Sequence, residues 1–385
     1  MMHRQIYHIS LLTAFAVAAL LSSACSADGN GELQPTATDQ QPVAFTATMA
    51  DGQEAETRAV PNVIDITALR TGGFGVFACY TGLHRYGDVD AQPDFMYNQQ
   101  ITWNSGTSKW TYSPLKYWPN GGGVVNGSTG TLPHHVSFMA YAPYSDMNPL
   151  STGDAGYCIP SMSYQHEVGN PWITYRLHTD PMHQVDLLYA TPLLDQTKQS
   201  TAASLSFAFQ HALACVGNEI TVTPADAMKT HLNALRTGEV ERVELVLQSF
   251  SITYTLTEKG RLAMWSSDGK PHWETINSES GLVTRTVNYT VPANTVLYNY
   301  NGTATTTDYT NDEHGIFYIP AHLANHYQKA VATLSYQVRT YNSVDALLNT
   351  EAHPDKVSAP IVLSDYDDAY KPGKNLTMTF RIKND

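Results

Sequence analysis

Basic charge is scarce in this chain. Its 385 residues hold 22 Lys and Arg against 35 Asp and Glu, a formal net charge of -13, and only 15% of the residues are charged at all. Such a chain argues against nucleic acid as a partner and against electrostatic docking on anionic lipid, because both want a basic face. Cysteine is scarce too, with four residues in all. Cys79, Cys158 and Cys215 form no Cys-x-x-Cys pair and no metal framework, so buried free thiols are the default, with one disulfide open to an exported chain. Also missing are a Gly-x-Ser-x-Gly elbow, a phosphate-loop lysine after Gly121 to Gly123, and His-Glu-x-x-His. No cofactor and no enzymatic activity are expected. The histidines at 134, 135, 166, 178, 183 and 211 lack ligand spacing; His134 and His135, as neighbours on a strand, point to opposite faces. His211, between Phe209 and Leu213, reads as a satisfied core histidine.

What is abundant points to strands. The chain is 42% hydrophobic with 23 Tyr, and aromatic and β-branched residues favour an all-β fold. At the N-terminus, Arg4 precedes an apolar run from Leu11 to Leu21 and then Ser22, Ser23, Ala24 and Cys25. Residues 1–24 therefore read as an export signal, and Cys25 as the acylated residue of a bacterial lipoprotein. Residues 25–40 are a polar tether. Removing the signal takes away Arg4, and the chain from Cys25 carries -14.

The next stretch, 41–58, has Val43, Phe45, Ala47 and Met49 on one face of a strand at period two, followed by an acidic segment ending at Arg58. It reads as a strand on a cuttable tether. Residues 375–385 repeat the design, with Leu376, Met378, Phe380 and Ile382 on one face. If the first strand fills a slot and is cut away after Arg58, the slot loses four apolar side chains worth about 1.5 to 3 kcal/mol each when buried. A bared sheet edge of that kind is what strand addition between subunits uses. The plainer reading makes both segments ordinary edge strands of one sandwich. Between them, period-two segments recur from Phe74 onward. The polar break at 195–204 places a division between domains at 198/199. One helix is expected, capped by Thr223 with Pro224 at its first position, and with Ala225, Met228, Leu232 and Leu235 as its apolar stripe.

Several segments, taken together and in order, resemble the Mfa-like fimbrillins of Bacteroidales, subunits of type V pili. They are the lipoprotein signal, Glu-Thr-Arg-Ala-Val at Arg58, Phe-Gly-Val-Phe-Ala-Cys-Tyr, Phe-Met-Tyr-Asn-Gln-Gln-Ile-Thr-Trp, Val-Ser-Phe-Met-Ala-Tyr-Ala-Pro-Tyr, Phe-Ala-Phe-Gln-His-Ala-Leu-Ala-Cys-Val and Tyr-Lys-Pro-Gly-Lys-Asn-Leu-Thr-Met-Thr-Phe. The resemblance implies two transthyretin-like β-sandwich domains in series, 41–198 and 199–385, with one short helix. It implies an outer-membrane, cell-surface lipoprotein in a fimbrium that serves adhesion, palmitoylated or otherwise acylated at Cys25. A trypsin-like or arginine-specific surface protease would cut between Arg58 and Ala59 and remove the first strand. The donor strand for a neighbouring fimbrial subunit would be the C-terminal Leu376, Met378, Phe380 and Ile382. Two departures stand out: Lys371 separates Tyr370 from Pro-Gly-Lys, and Arg70 is a second basic site for the protease.

The rival is a monomeric, lipid-anchored surface protein that binds a host or bacterial glycan. Trp103, Trp110, Tyr112, Tyr117 and Trp118 crowd one region, and Trp110, Tyr112, Tyr117 and Trp118 would make the contact if their faces are open and coplanar. Core packing explains the same residues.

Overall fold

Alternation of apolar and polar residues marks strands such as Leu205–His211 and Lys329–Tyr341, but the central strand of the first sheet breaks that rule for a reason. A computed structural model describes residues 41–50, 63–121, 124–125, 128–129, 132–148, 157–198, 204–274, 281–311, 315–319, 328–365 and 372–384. Cys25, Arg58 and Ala59 lie outside them, as do Tyr370 and Lys371. The described residues are mostly strand, with two short α-helices, so the all-β expectation holds. In strand His135–Ala142 nearly every side chain is buried. Phe138 and Ala140 point into one apolar core, Met139 and Tyr141 into another. A strand covered on both faces reads as a continuous apolar run, as this one does.

That strand lies at the centre of the first sheet. The order across it is Phe45–Met49, Leu205–His211, Leu188–Ala190, His135–Ala142, Phe74–Gly82, Met96–Asn104 and Lys109–Thr111. All neighbours are antiparallel except the first pair: Phe45–Met49 runs parallel to Leu205–His211, with Phe45 opposite Leu205 and Met49 opposite Phe209. Strand Leu205–His211, which follows the expected division at 198/199, thus belongs to the sheet of the residues before it. The division is crossed a second time where Trp172–Arg176 pairs with Lys259–Ala263, and the larger core draws on both halves, from Phe77 to Ile382.

Ala212 and Leu213 break the chain's direction, and Ala214–Pro224 enters another sheet. The terminal strand Asn375–Ile382 lies parallel to it, with Cys215 opposite Asn375 and Pro224 opposite Ile382, and a bulge between Val216 and Ile220. Thr223 and Pro224, expected to begin the helix, are instead the end of this strand. The cause is the terminal strand, whose ladder continues to the bond from the Ala225 N–H to the Ile382 carbonyl at 2.8 Å. The helix is Asp226–Ala234, its N-cap is Ala225 without a side-chain bond, and Met228 and Leu232 are its buried residues. A further helix, Ile66–Gly72, is capped by Asp65, whose carboxylate accepts the Ala68 N–H at 2.7 Å. A seven-stranded sheet is organised on Arg242–Thr257, which pairs with Leu282–Tyr289, Thr295–Tyr300 and Lys329–Tyr341.

Gly217 sits in the bulge at φ +80, and a Cβ there would run into the hydroxyl of Tyr254, itself 3.2 Å from the hydroxyl of Tyr289. Positive φ and close approach both exclude a side chain. Gly217→Ala is expected to lower stability by about 1–3 kcal/mol or more, read as a shift of the urea midpoint.

Candidate functional site

The slot that holds the first strand is walled by aromatic residues. Phe45 stacks on Phe207 at a centroid distance of 5.7 Å and 17° between planes, meets Phe138 edge-on at 6.0 Å and leans on Tyr112 at 5.6 Å. Val43, Phe45 and Met49 are buried and Ala47 is partly so. Three of the four apolar side chains therefore carry the burial, at about 1.5–3 kcal/mol each. Thr46 and Thr48 are exposed on the other face.

Hydrogen bonding holds the strand unevenly. One edge is in the ladder with Leu205–His211, closed at its ends by the bonds from the Leu205 N–H to the Ala44 carbonyl at 2.8 Å and from the Ala50 N–H to the Phe209 carbonyl at 2.7 Å. On the other side the bonds are to the segment 112–118: the Val43 N–H donates to the Lys116 carbonyl at 2.9 Å, the Trp118 N–H to the Gln41 carbonyl at 3.0 Å, and the Tyr112 hydroxyl to the Val43 carbonyl at 2.8 Å.

This clamp accounts for the aromatic crowd. Trp118 is 5% exposed and packs edge-on to Phe138. Trp110 is half-buried against Phe74 and Trp103, tilted 64° and 67° to them. Tyr112 is half-buried under Phe45, and Tyr117 alone of the four is open, at 41%. The glycan reading needs coplanar open faces, and these four residues do not present them. Their place beside the first strand was not legible from their spacing, and the acceptor wall of Leu205, Phe207 and Phe209 showed only as an alternating segment.

The terminal strand occupies its own chain's sheet. Met378, Phe380 and Ile382 are buried and Leu376 is partly buried, with the Phe380 ring 5.4 Å from Phe250. The two terminal strands thus share one geometry, each lying parallel to successive parts of the run 205–224.

A buried ion pair sits between them. The Asp186 carboxylate is 2.6 Å from His211 Nδ1 and accepts the backbone N–H groups of Leu187 at 2.8 Å and Ile64 at 3.3 Å. Ile64 is the second described residue after the segment that contains Arg58, so this carboxylate pins the chain downstream of that arginine. Val63, His211, Cys215, Lys374 and Asn375 line a narrow crevice beside the pair. Burial lowers the His211 pKa, but the charge and hydrogen bond of Asp186 outweigh it and leave the imidazole above its ordinary value. Burial pushes the Cys215 and Tyr175 protons on more firmly, and Asp186 adds to both, so they stay neutral. The Cys79 thiol is pushed up to about 12, chiefly by burial. Cys79, Cys158 and Cys215 are all buried, and none of them is joined in a disulfide among the described residues. Among the described residues no group of three His, Cys, Asp or Glu is placed to hold a metal ion, and no helix is long and apolar enough to cross a membrane. His134 bonds Tyr80 at 2.6 Å and His135 bonds the His84 carbonyl at 3.1 Å.

Arg70 lies in the last turn of helix Ile66–Gly72, with the buried Leu69 beside it and its guanidinium over the Trp103 ring. A protease needs an extended, accessible segment, and a packed helix does not offer one.

Two outcomes follow for this site. Because the folded pKa of His211 is raised, its contribution is present below the ordinary histidine range of about 6.5 and is lost as pH rises through the folded value. The melting temperature is therefore expected to fall on that rise, and a His211→Gln variant to lose that part of the slope. Tyr112→Phe removes the donor to Val43 and is expected to cost about 1 kcal/mol, read as faster amide exchange along Phe45–Met49 than in the unaltered chain.

No protein-family model matches the chain. It is 29% identical over 191 residues to the fimbrium subunit Fim1C of Phocaeicola vulgatus, an alignment that covers 48% of this chain and 45% of that protein. The chain thus spans less than half the length of this curated relative. Its fold is similar to that of a fimbrial protein from Bacteroides vulgatus, with a TM-score of 0.60 at 21% identity, covering 89% of this chain and 95% of that one. The first likeness agrees with the resemblance to Bacteroidales fimbrillins drawn from the sequence, and the second shows the fold.

Proposed function

We propose that this chain is a structural, non-enzymatic subunit of a cell-surface fimbria that serves adhesion. It is exported as a lipoprotein acylated at Cys25, and a trypsin-like or arginine-specific protease removes its first strand by cutting between Arg58 and Ala59. The helix around Arg70 favours Arg58 over Arg70 as the cut. The emptied slot then receives the terminal strand of a neighbouring fimbrial subunit. An anchor subunit would keep its first strand, so the arginine assigns the chain to stalk or tip.

One observation carries this reading: both terminal strands lie parallel to the run 205–224 with three buried apolar side chains each. A strand that leaves the second site enters the first in the same direction and the same alternation. Seating Phe380 where Phe45 sits brings Met378 to the place of Val43 and Ile382 to that of Ala47. The relative named as a fimbrium subunit supports the assembly. The acidic chain sheds a net charge of -5 at the cut, since residues 25–58 hold six acids against Arg58.

Deleting 375–385 is a poor test, because it strips three buried side chains from the monomer's own core. Cysteine locks are better. Thr46 faces Ser206 in register, and Thr379 faces Thr221. A Thr46→Cys, Ser206→Cys chain is expected to be cut after Arg58 yet stay monomeric until reduced. A Thr221→Cys, Thr379→Cys chain is expected to be cut, release its first strand and fail to donate until reduced. Polymers formed by both oxidised locks would sink strand exchange. A mature N-terminus at Cys25 that survives trypsin, instead of a start at Ala59, would sink the removable strand.

A further inference from the structure

A cavity of about 440 Å³ opens between the first strand and the Met96–Asn104, Lys109–Thr111 strand pair. One wall is Ala44 to Ala47. The other is Trp103 and Trp110, opposite each other in register. Arg70 and Lys109 supply two cations and Ser108 and Ser204 two hydroxyls. Among the described residues no carboxylate lines the cavity, although acids exceed bases 35 to 22 in the chain. Among the described residues the Arg70 guanidinium meets an indole, 4.6 Å from the Trp103 centroid, where an ion-pair partner would be expected.

We propose that this cavity binds a monosaccharide unit bearing a carboxylate, of the uronate or sialate class. The volume is that of a small-ligand site. The indoles, edge to face at 67°, line the cavity with apolar surface against the rim of a sugar ring and are no flat stacking platform, and the serines supply partners for ring hydroxyls. Arg70 and Lys109 supply the charge for a single carboxylate. The site differs from the four-aromatic set read from the sequence: it keeps Trp110, adds Trp103, and leaves out Tyr112, Tyr117 and Trp118. It does not depend on strand exchange, since it exists in the uncut chain.

The test uses the purified, uncut full chain and isothermal titration with glucuronate, N-acetylneuraminate, glucose and acetate. Saturable binding is expected for an acidic sugar, and binding about tenfold weaker or absent for glucose and for acetate. Arg70→Gln and Lys109→Gln, both exposed positions, are each expected to weaken the acidic sugar about tenfold while leaving the melting temperature unchanged. Absence of binding by both acidic sugars overturns the proposal. So does equal binding by glucose or acetate, or full binding by the Arg70→Gln, Lys109→Gln double variant. A chain that binds the acidic sugar while uncut but never polymerises once cut would leave this site standing and remove the fimbrial assembly.

Discussion

Parallel pairing at the two chain ends is the constraint from which the rest of this molecule takes its meaning. Antiparallel neighbours can be joined by a short turn, and a strand displaced from such a hairpin stays close to its place. Phe45–Met49 and Leu205–His211 have no such turn between them; their pairing joins residues about 160 positions apart in sequence. The terminal strand pairs with Ala214–Pro224 across a similar distance. What keeps each terminal strand seated is its own ladder and three buried side chains. Such a strand is exchangeable in a way that a hairpin strand is not.

The body is suited to the proposed exchange because its two cores share strand His135–Ala142 back to back. Emptying the first-strand slot exposes one core, the one with Phe138, Phe207 and Phe209, and leaves the other, larger core covered by the opposite face of the same sheet. The Asp186–His211 pair adds a second safeguard. A carboxylate buried in that position needs several partners to offset its desolvation, and it draws one of them from the backbone of Ile64. The chain beyond residue 63 is thereby fixed to the body independently of the first strand. A cut upstream can release residues that precede the pin without unravelling helix Ile66–Gly72.

Much of this was legible in the sequence because period two is a direct signature of a half-buried strand. Val43, Phe45 and Met49, and Met378, Phe380 and Ile382, announce their buried face by spacing alone. Ala47 and Leu376 fit the same pattern and are only partly buried, since spacing gives the face but not how well it is covered. Pairing partners were not legible. The segment 205–216 reads as one strand, and nothing in Ala212 and Leu213 marks where the chain leaves one sheet for another. Thr223 and Pro224 carry a sound helix-start signal, yet the ladder with the terminal strand holds them extended, an instance of long-range pairing overriding local preference. The aromatic region left packing and glycan contact both open for a related reason: composition does not distinguish a Tyr112 that clamps Val43 from one that faces solvent.

The cavity beside the first strand ties these features together. Its near wall is Ala44 to Ala47, part of the strand whose release is proposed, and its far wall and both cations belong to the body that stays. A ligand that needs both walls binds only the uncut form, and by linkage it stabilises that form in proportion to the logarithm of its concentration above the dissociation constant. Removal of the strand abolishes the site, and occupancy of the site opposes removal. A donor strand from a neighbour would bring Met378, Phe380 and Ile382 in place of Val43, Phe45 and Ala47, and so a differently shaped wall opposite the same Trp103, Trp110, Arg70 and Lys109. Ligand preference and the state of assembly are then two readings of which strand fills one slot.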